Sequence, residues 1–354
     1  MYFYDFDIKN NEMWFPEFYT GAICKVNIDT FLLDIFENDV LDFVTEKCPF
    51  CGIYKGEKRV LLSSKVNNNV YVYNIEEKKY VVRHVQGMPN KVAIVFSHDE
   101  VFLYNNNLYI VLDNGIIIKA DIELERINYV GKCPNNQNEI HGQVLSKEEN
   151  LYIPIENTIF VFDMNTENIT KEIRLDDIDR IATLGFDGNR FWITSASGLL
   201  MSLGEEKQKF ELDINDYYCE SFPHGIRFWR SFINLNKLWL IPCYSESIYC
   251  IDLVTGTLKK IVIDGEEENE YTFHSRGRLN AKKIISTYCE GGYLWILSSK
   301  TKKLYKINQK TDEVIICNMD YSLEETLKKQ LNAKSLILEG ALNCTLRQFL
   351  KVIE

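Results

Sequence analysis

The chain has 354 residues, a formal net charge of −11, and 46% apolar against 26% charged residues. That balance suits a folded globular protein and excludes disordered and collagen-like chains. The acidic excess disfavours nucleic acid or an anionic membrane as partner.

No apolar run approaches the about 20 residues that span a bilayer. The opening Met1-Tyr2-Phe3-Tyr4-Asp5-Phe6-Asp7 has no basic stretch followed by an apolar one, so no secretory signal is expected. The ten cysteines show no framework spacing and read as reduced thiols in a cytoplasm. Abundant Asn, Ile, Lys and Tyr suggest an AT-rich bacterial genome.

Taken along the chain, a short apolar motif centred on Trp, Tyr or Leu recurs seven times. Its copies are Met13-Trp14-Phe15, Val60-Leu61-Leu62, Leu108-Tyr109-Ile110, Leu151-Tyr152-Ile153, Phe191-Trp192-Ile193, Leu238-Trp239-Leu240 and Leu294-Trp295-Ile296. Turn formers often precede it, as in Asn10-Asn11, Asn105-Asn106-Asn107 and Gly291-Gly292. A second motif keeps step behind each copy: an apolar strand ending in Asn or Asp. It ends at Asn27, Asn74, Asp121, Asp163, Asp252 and Asn308, and the fifth copy, Leu199 to Leu203, loses the amide or acid. A third strand often follows, such as Leu258 to Ile263.

Each unit therefore reads as three or four short antiparallel strands rich in Val, Ile, Tyr, Phe and Trp. A period near 40–45 residues with four strands per unit is a propeller signature. Packing such sheets radially buries their faces and leaves only short edges. The expectation is an all-β, seven-bladed propeller of four-stranded antiparallel sheets over residues 1–318, with a short helical tail. In that tail, over 319–354, Ser322-Leu-Glu-Glu325 and Thr345-Leu-Arg-Gln348 are capping boxes before Leu327 and Leu331 and before Leu346, Phe349, Leu350 and Ile353. Two short helices packed on the propeller are expected there.

The stretch Ile248-Tyr-Cys-Ile-Asp-Leu-Val-Thr-Gly-Thr-Leu-Lys-Lys-Ile resembles the strand–turn–strand repeat of the NHL, YVTN and quinoprotein-like seven-bladed propellers. The resemblance implies architecture. The units lack the Gly-His and Trp-Asp pairs of WD repeats. Only Thr255-Gly256 matches the quinoprotein Thr-Gly in full, without its docking tryptophan, so no quinone cofactor is expected.

Ligands of propellers gather near the channel, at the loops that lead into the blades. Four of the five histidines fall in such loops: His98, His141, His224 and His274. An imidazole there can hold a metal, act as a base or donate to an anion, or it can simply bond neighbouring backbone. Segments 222–230 and 271–283 carry Arg227, Arg230, Arg276, Arg278, Lys282 and Lys283 with no acid. Arg227 and Arg276 are candidates to fork onto a phosphate or carboxylate; alternatively the patch folds against the acidic 264–270 run. His224, Arg227, His274 and Arg276 are expected to converge. Cys48-Pro-Phe-Cys51 has the spacing of half a zinc site, though a structural zinc needs four ligands, and plain thiols are the alternative.

Gly-x-Gly-x-x-Gly, P-loop, Gly-x-Ser-x-Gly and His-Glu-x-x-His motifs are absent from the sequence. The leading expectation is a non-catalytic binding or scaffold propeller holding a partner protein, a peptide or a small anion, with no cofactor beyond a possible divalent metal. One alternative is a metal-assisted lyase or hydrolase using the four histidines. Another is a carbohydrate-binding module stacking sugars on Phe18, Tyr19 and Tyr244.

Overall fold

The computed structural model describes residues 5–16, 23–30, 32–36, 50, 52–63, 69–89, 92, 94–134, 142–204, 209–211, 228–242, 247–263, 284–298 and 303–317. They form seven four-stranded antiparallel sheets, each built from consecutive strands. Blade 1 holds β1 (Asp7–Lys9), β2 (Glu12–Pro16), β3 (Ile23–Asn27) and β4 (Leu33–Phe36). Blade 2 holds β5 (Gly52–Lys55), β6 (Arg59–Ser63), β7 (Asn69–Asn74) and β8 (Lys79–His84). Blade 3 holds β9 (Val101–Tyr104), β10 (Asn107–Val111), β11 (Ile116–Asp121) and β12 (Ile127–Lys132). Blade 4 holds β13 (Leu145–Lys147), β14 (Asn150–Ile155), β15 (Thr158–Asp163) and β16 (Asn168–Arg174). Blade 5 holds β17 (Ile181–Phe186), β18 (Phe191–Ser195), β19 (Leu199–Leu203) and β20 (Lys209–Glu211). Blade 6 holds β21 (Phe228–Asn234), β22 (Lys237–Pro242), β23 (Ser247–Asp252) and β24 (Leu258–Val262). Blade 7 holds β25 (Ile284–Glu290), β26 (Tyr293–Ser298), β27 (Leu304–Asn308) and β28 (Val314–Cys317).

The chain thus has the seven-bladed propeller fold that its repeats predict. The seven Trp, Tyr or Leu positions lie on the second strand of every blade. Trp14, Trp192, Trp239 and Trp295 are buried, as their large apolar area demands. In three blades the aromatic's cross-strand partner is a lysine: Lys25 for Trp14, Lys119 for Tyr109 and Lys306 for Trp295. The ammonium groups lie 5.7, 5.4 and 4.8 Å from the ring centroids, within cation–π range.

In five blades the Asn or Asp that ends the third strand makes an Asx turn, while Asp121 of blade 3 accepts from the amides of Glu125 and Arg126. Asn27 accepts from the amides of Asp29 and Thr30, Asn74 from Glu76 and Glu77, Asp163 from Asn165 and Thr166, and Asn308 from Lys310 and Thr311. In blades 1, 3 and 7 the first hairpin turns on left-handed residues. Asn10-Asn11, Asn105-Asn106 and Gly291-Gly292 supply them at little cost.

Every seam between blades is filled by an apolar cluster drawn from both sides. Leu61, Val70 and Val72 of blade 2 meet Leu108 and Ile110 of blade 3. The last seam closes the ring: Phe6, Met13, Phe15 and Cys24 of blade 1 pack with Trp295, Leu297, Leu304 and Cys317 of blade 7. No strand is exchanged between first and last blades among the described residues. First strands touch one another, β1 with β5 and β17 with β21, so they line the centre. Fourth strands such as β8 and β16 are mostly exposed and form the rim. The expected helices over 319–354 lie outside the described residues.

Candidate functional site

The described ionisable groups at the centre of the ring gather around one 3-10 turn, His98–Glu100, which leads into β9. The turn is set by close backbone packing. A Cβ on Gly52 would stand 1.8 Å from the Phe96 carbonyl oxygen, so only glycine lets blade 2 approach the chain leading into blade 3. The Ser97 amide donates to the Glu100 carboxyl at 2.7 Å and ties the turn together.

His98 faces Asp5, two residues before β1. The His98 amide donates to Asp5 Oδ2 at 2.8 Å, and Nδ1 lies 2.7 Å from Oδ1. Asp5 also accepts from Ser286 Oγ of blade 7 at 2.9 Å and from the Ile53 amide of blade 2 at 3.4 Å. One carboxylate thereby joins blades 1, 2, 3 and 7. The imidazole packs against Tyr288 and Phe6, with ring centroids 5.1 and 6.2 Å apart.

Burial alone would push the His98 imidazole down. The charge and hydrogen bond of Asp5 outweigh it, Asp99 and Asp7 add to them, and its pKa is raised from 6.5 to about 9. His98 is therefore an imidazolium at neutral pH, with Nδ1 donating to Asp5. Neither lone pair is then offered to a metal. Nearby, the Asp7 carboxyl accepts from the Lys55 amide at 2.6 Å. Burial pushes Asp7 up, while His98 and the Lys55 amide hold it back.

Arg230, on β21 of blade 6, reaches the same turn from the far side of the ring. Its Nε pairs with Asp99, and a terminal nitrogen donates to Asp99 Oδ1 at 3.0 Å, Ser97 Oγ at 3.3 Å and Glu100 Oε1 at 3.4 Å. Its guanidinium also lies 4.7 Å from the Trp229 ring centroid. Burial would raise Asp99, but Arg230 and His98 hold its carboxyl below the usual range. Burial drives Glu100 well up, with Asp113 and Asp99 adding to it against Arg230. The two carboxyls beside Arg230 are therefore pushed in opposite directions, Asp99 down and Glu100 up.

A neutral clamp completes the ring. Gln143, leading into blade 4, donates to the Ser231 carbonyl at 2.8 Å and accepts from the Ser231 amide at 2.6 Å, reaching past blade 5 to blade 6. The Gln143 amide bonds Ala182 of blade 5 at 3.1 Å. Gly142 beside it has no room for a Cβ, which would stand 2.7 Å from the Ile181 carbonyl.

Of the residues singled out by sequence, His98 sits at the centre as its position before β9 implies. His141, His224, Arg227, His274, Arg276, Cys48 and Cys51 lie outside the described residues, as do the sugar-stacking candidates Phe18, Tyr19 and Tyr244. Arg230, counted with the basic patch, pairs with Asp99 and Glu100, and the acidic 264–270 run lies outside the described residues. No group of three or more His, Cys, Asp or Glu able to hold a metal occurs among the described residues. Sequence reasoning missed Asp5, Asp99, Glu100, Gln143 and Ser286. The run His98-Asp99-Glu100 was the available signal, because three ionisable residues directly before an inner strand must enter the channel.

No family model matches the sequence, and no curated protein matches it. Among solved structures, the chain is similar to the computationally designed Ika8 protein, with a TM-score of 0.55 at 12% identity, over 88% of this chain and 85% of that one. It is similar to a chain of the Mitotic Checkpoint Complex, TM-score 0.58 at 8% identity, over 86% of each. It is also similar to the β-propeller domain of Myceliophteria thermophila Cps50 (Swd1), TM-score 0.58 at 9% identity, over 86% of this chain and 96% of that one. At such identities the likeness shows the fold alone: the chain is a seven-bladed β-propeller. No described helix is long and apolar enough to cross a membrane.

Proposed function

We propose that this propeller is a non-catalytic binding scaffold that holds a partner protein, a peptide or an anionic ligand at the mouth of its channel. One observation carries the reading: the described charged groups at the centre answer one another. His98 is held by Asp5 and Arg230 by Asp99 and Glu100, so these groups brace the ring instead of presenting a base or a metal ligand. A braced ring offers a rigid surface, which lowers the ordering cost of binding. A propeller of this shape occurs within an assembly, the Mitotic Checkpoint Complex, which agrees with a scaffold role. Exposed aliphatic side chains on hairpin tips and rim strands, such as Leu32, Val254, Val262 and Ile316, supply surface for a partner. The described cysteines are thiols rather than disulfides, in keeping with a bacterial cytoplasm.

The test is a capture experiment with tagged protein, wild type against the Arg227→Ala/Arg276→Ala double variant. The reading expects a defined partner or anion retained by the wild type and lost by the variant, with an unchanged melting temperature. Unchanged capture, or a large drop in melting temperature, would show that the basic patch is structural. Elemental analysis of the same preparation tests a divalent metal on Cys48 and Cys51. A stoichiometric metal together with turnover would support the lyase or hydrolase reading instead.

A further inference from the structure

The polypeptide itself crosses six of the seven seams between blades. The seventh, between blade 7 and blade 1, joins the two ends of the ring and has no covalent link. It also lacks an exchanged strand among the described residues. An apolar cluster and the bond from Ser286 to Asp5 hold it.

We propose that the seam between blades 7 and 1 is a latch, locked by the Asp5–His98–Ser286 cluster, and that releasing this cluster opens the ring there before any other seam. The geometry concentrates the closure on one carboxylate. Asp5 lies in the segment that leads into blade 1, and its bonds run to blades 2, 3 and 7 at once. Removing its charge therefore loosens the segment leading into blade 1 from three blades together. Elsewhere a lost bond leaves the covalent connection in place.

The charged and titratable groups facing His98 are Asp5 and Asp7 from blade 1, Asp99 from its own turn, and Tyr288 from blade 7. Arg230 of blade 6 lies behind Asp99. Loss of the imidazolium proton would remove the cation that Asp5 contacts directly and leave only the more distant Arg230 to answer it, so high pH should act in the same direction as removing Asp5.

Native cysteines report on individual seams. Cys24 and Cys317 lie in the seam between blades 7 and 1. Cys133 lies between blades 3 and 4, and Cys250 between blades 6 and 7. All four are buried. The experiment is alkylation of the full chain by N-ethylmaleimide at pH 7.5, with each peptide quantified by mass spectrometry against a denatured control. In Asp5→Asn and in Ser286→Ala, labelling of Cys24 and Cys317 should rise. A hydrogen bond to a charged group corresponds to about ten- to hundredfold in such an opening equilibrium. Cys133 and Cys250 should stay at the wild-type rate. Should Asp5→Asn fail to fold, wild-type protein at pH 9.5 reads the same ratio of Cys24 and Cys317 to Cys133. Equal rises at all four cysteines, or no selective rise at Cys24 and Cys317, would overturn the latch.

Discussion

Replacing Arg230 with methionine tests whether the centre of the ring is structural. The substitution keeps most of the side-chain volume and removes the cation. Asp99 and Glu100 would then face each other in a site where the Glu100 side chain is only 6% exposed and that of Asp99 17%. Removing one partner of a buried ion pair typically costs about 3–5 kcal/mol, because the other charge is left uncompensated. Whole domains are stable by only about 5–15 kcal/mol, so such a loss is easily read by urea unfolding at pH 7. The penalty depends on pH. Arg230 and His98, against burial, hold the Asp99 pKa down, so its contribution is present above the ordinary carboxylate pKa and is lost as pH falls. The gap between wild type and Arg230→Met should therefore be full near neutral pH and shrink as pH falls below about 4. Adding Asp99→Asn to Arg230→Met should recover part of the loss, since the orphaned charge disappears. A loss below about 1 kcal/mol at pH 7, the range of an exposed pair, would refute the reasoning and return Arg230 to the pool of ligand-binding cations.

Gly52→Ala should destabilise at or beyond the upper end of the about 1–3 kcal/mol of an overpacked core, because the new Cβ would meet the backbone oxygen of Phe96; urea unfolding checks this. Leu235→Asn should stabilise. Leu235 has φ of 52° while 58% exposed, at the turn position that blades 1 and 3 give to Asn10 and Asn105. Relieving a left-handed leucine is worth about 1 kcal/mol, read as a higher urea midpoint. Asn308→Ala should cost about 1 kcal/mol, read by urea unfolding, by removing two bonds to backbone amides, whereas Leu203→Ala, at the equivalent position of blade 5, has no side-chain acceptor to lose.

The second and third strands of each blade were legible because their constraints are local. An aromatic such as Trp239 must be buried between blades, and an Asx residue such as Asp252 bonds the amides two and three positions ahead. The fifth copy illustrates the same rule: Leu203 lacks the side chain, and Asp187 makes the equivalent turn one hairpin earlier by accepting from Asn189 and Arg190. First strands were harder to see. β1 and β13 have three residues each, Asp-Ile-Lys and Leu-Ser-Lys, too short for an apolar alternation to mark them. The central network was invisible for a different reason. His98 could be placed at a blade's approach from the repeat period, but its partner Asp5 and the Arg230 that pairs with neighbouring Asp99 come from other blades. Their pairing is fixed by closure of the ring and by no sequence spacing. Arg230 shows the consequence: beside Arg227 in the sequence it reads as part of a basic patch, whereas in three dimensions its charge is answered by blade 3.

The most direct test of the account is a pH titration of the His98 ring by nitrogen-detected NMR, with the other histidines replaced in turn for assignment. The account predicts a doubly protonated imidazole at pH 7.5 that titrates near 9 and is indifferent to added zinc. Its stabilising contribution is then full below 6.5 and is lost as pH rises through about 9. A ring that titrates near 6.5 and shifts on adding zinc would contradict the account, because His98 would then be an available ligand rather than part of the brace that closes the ring.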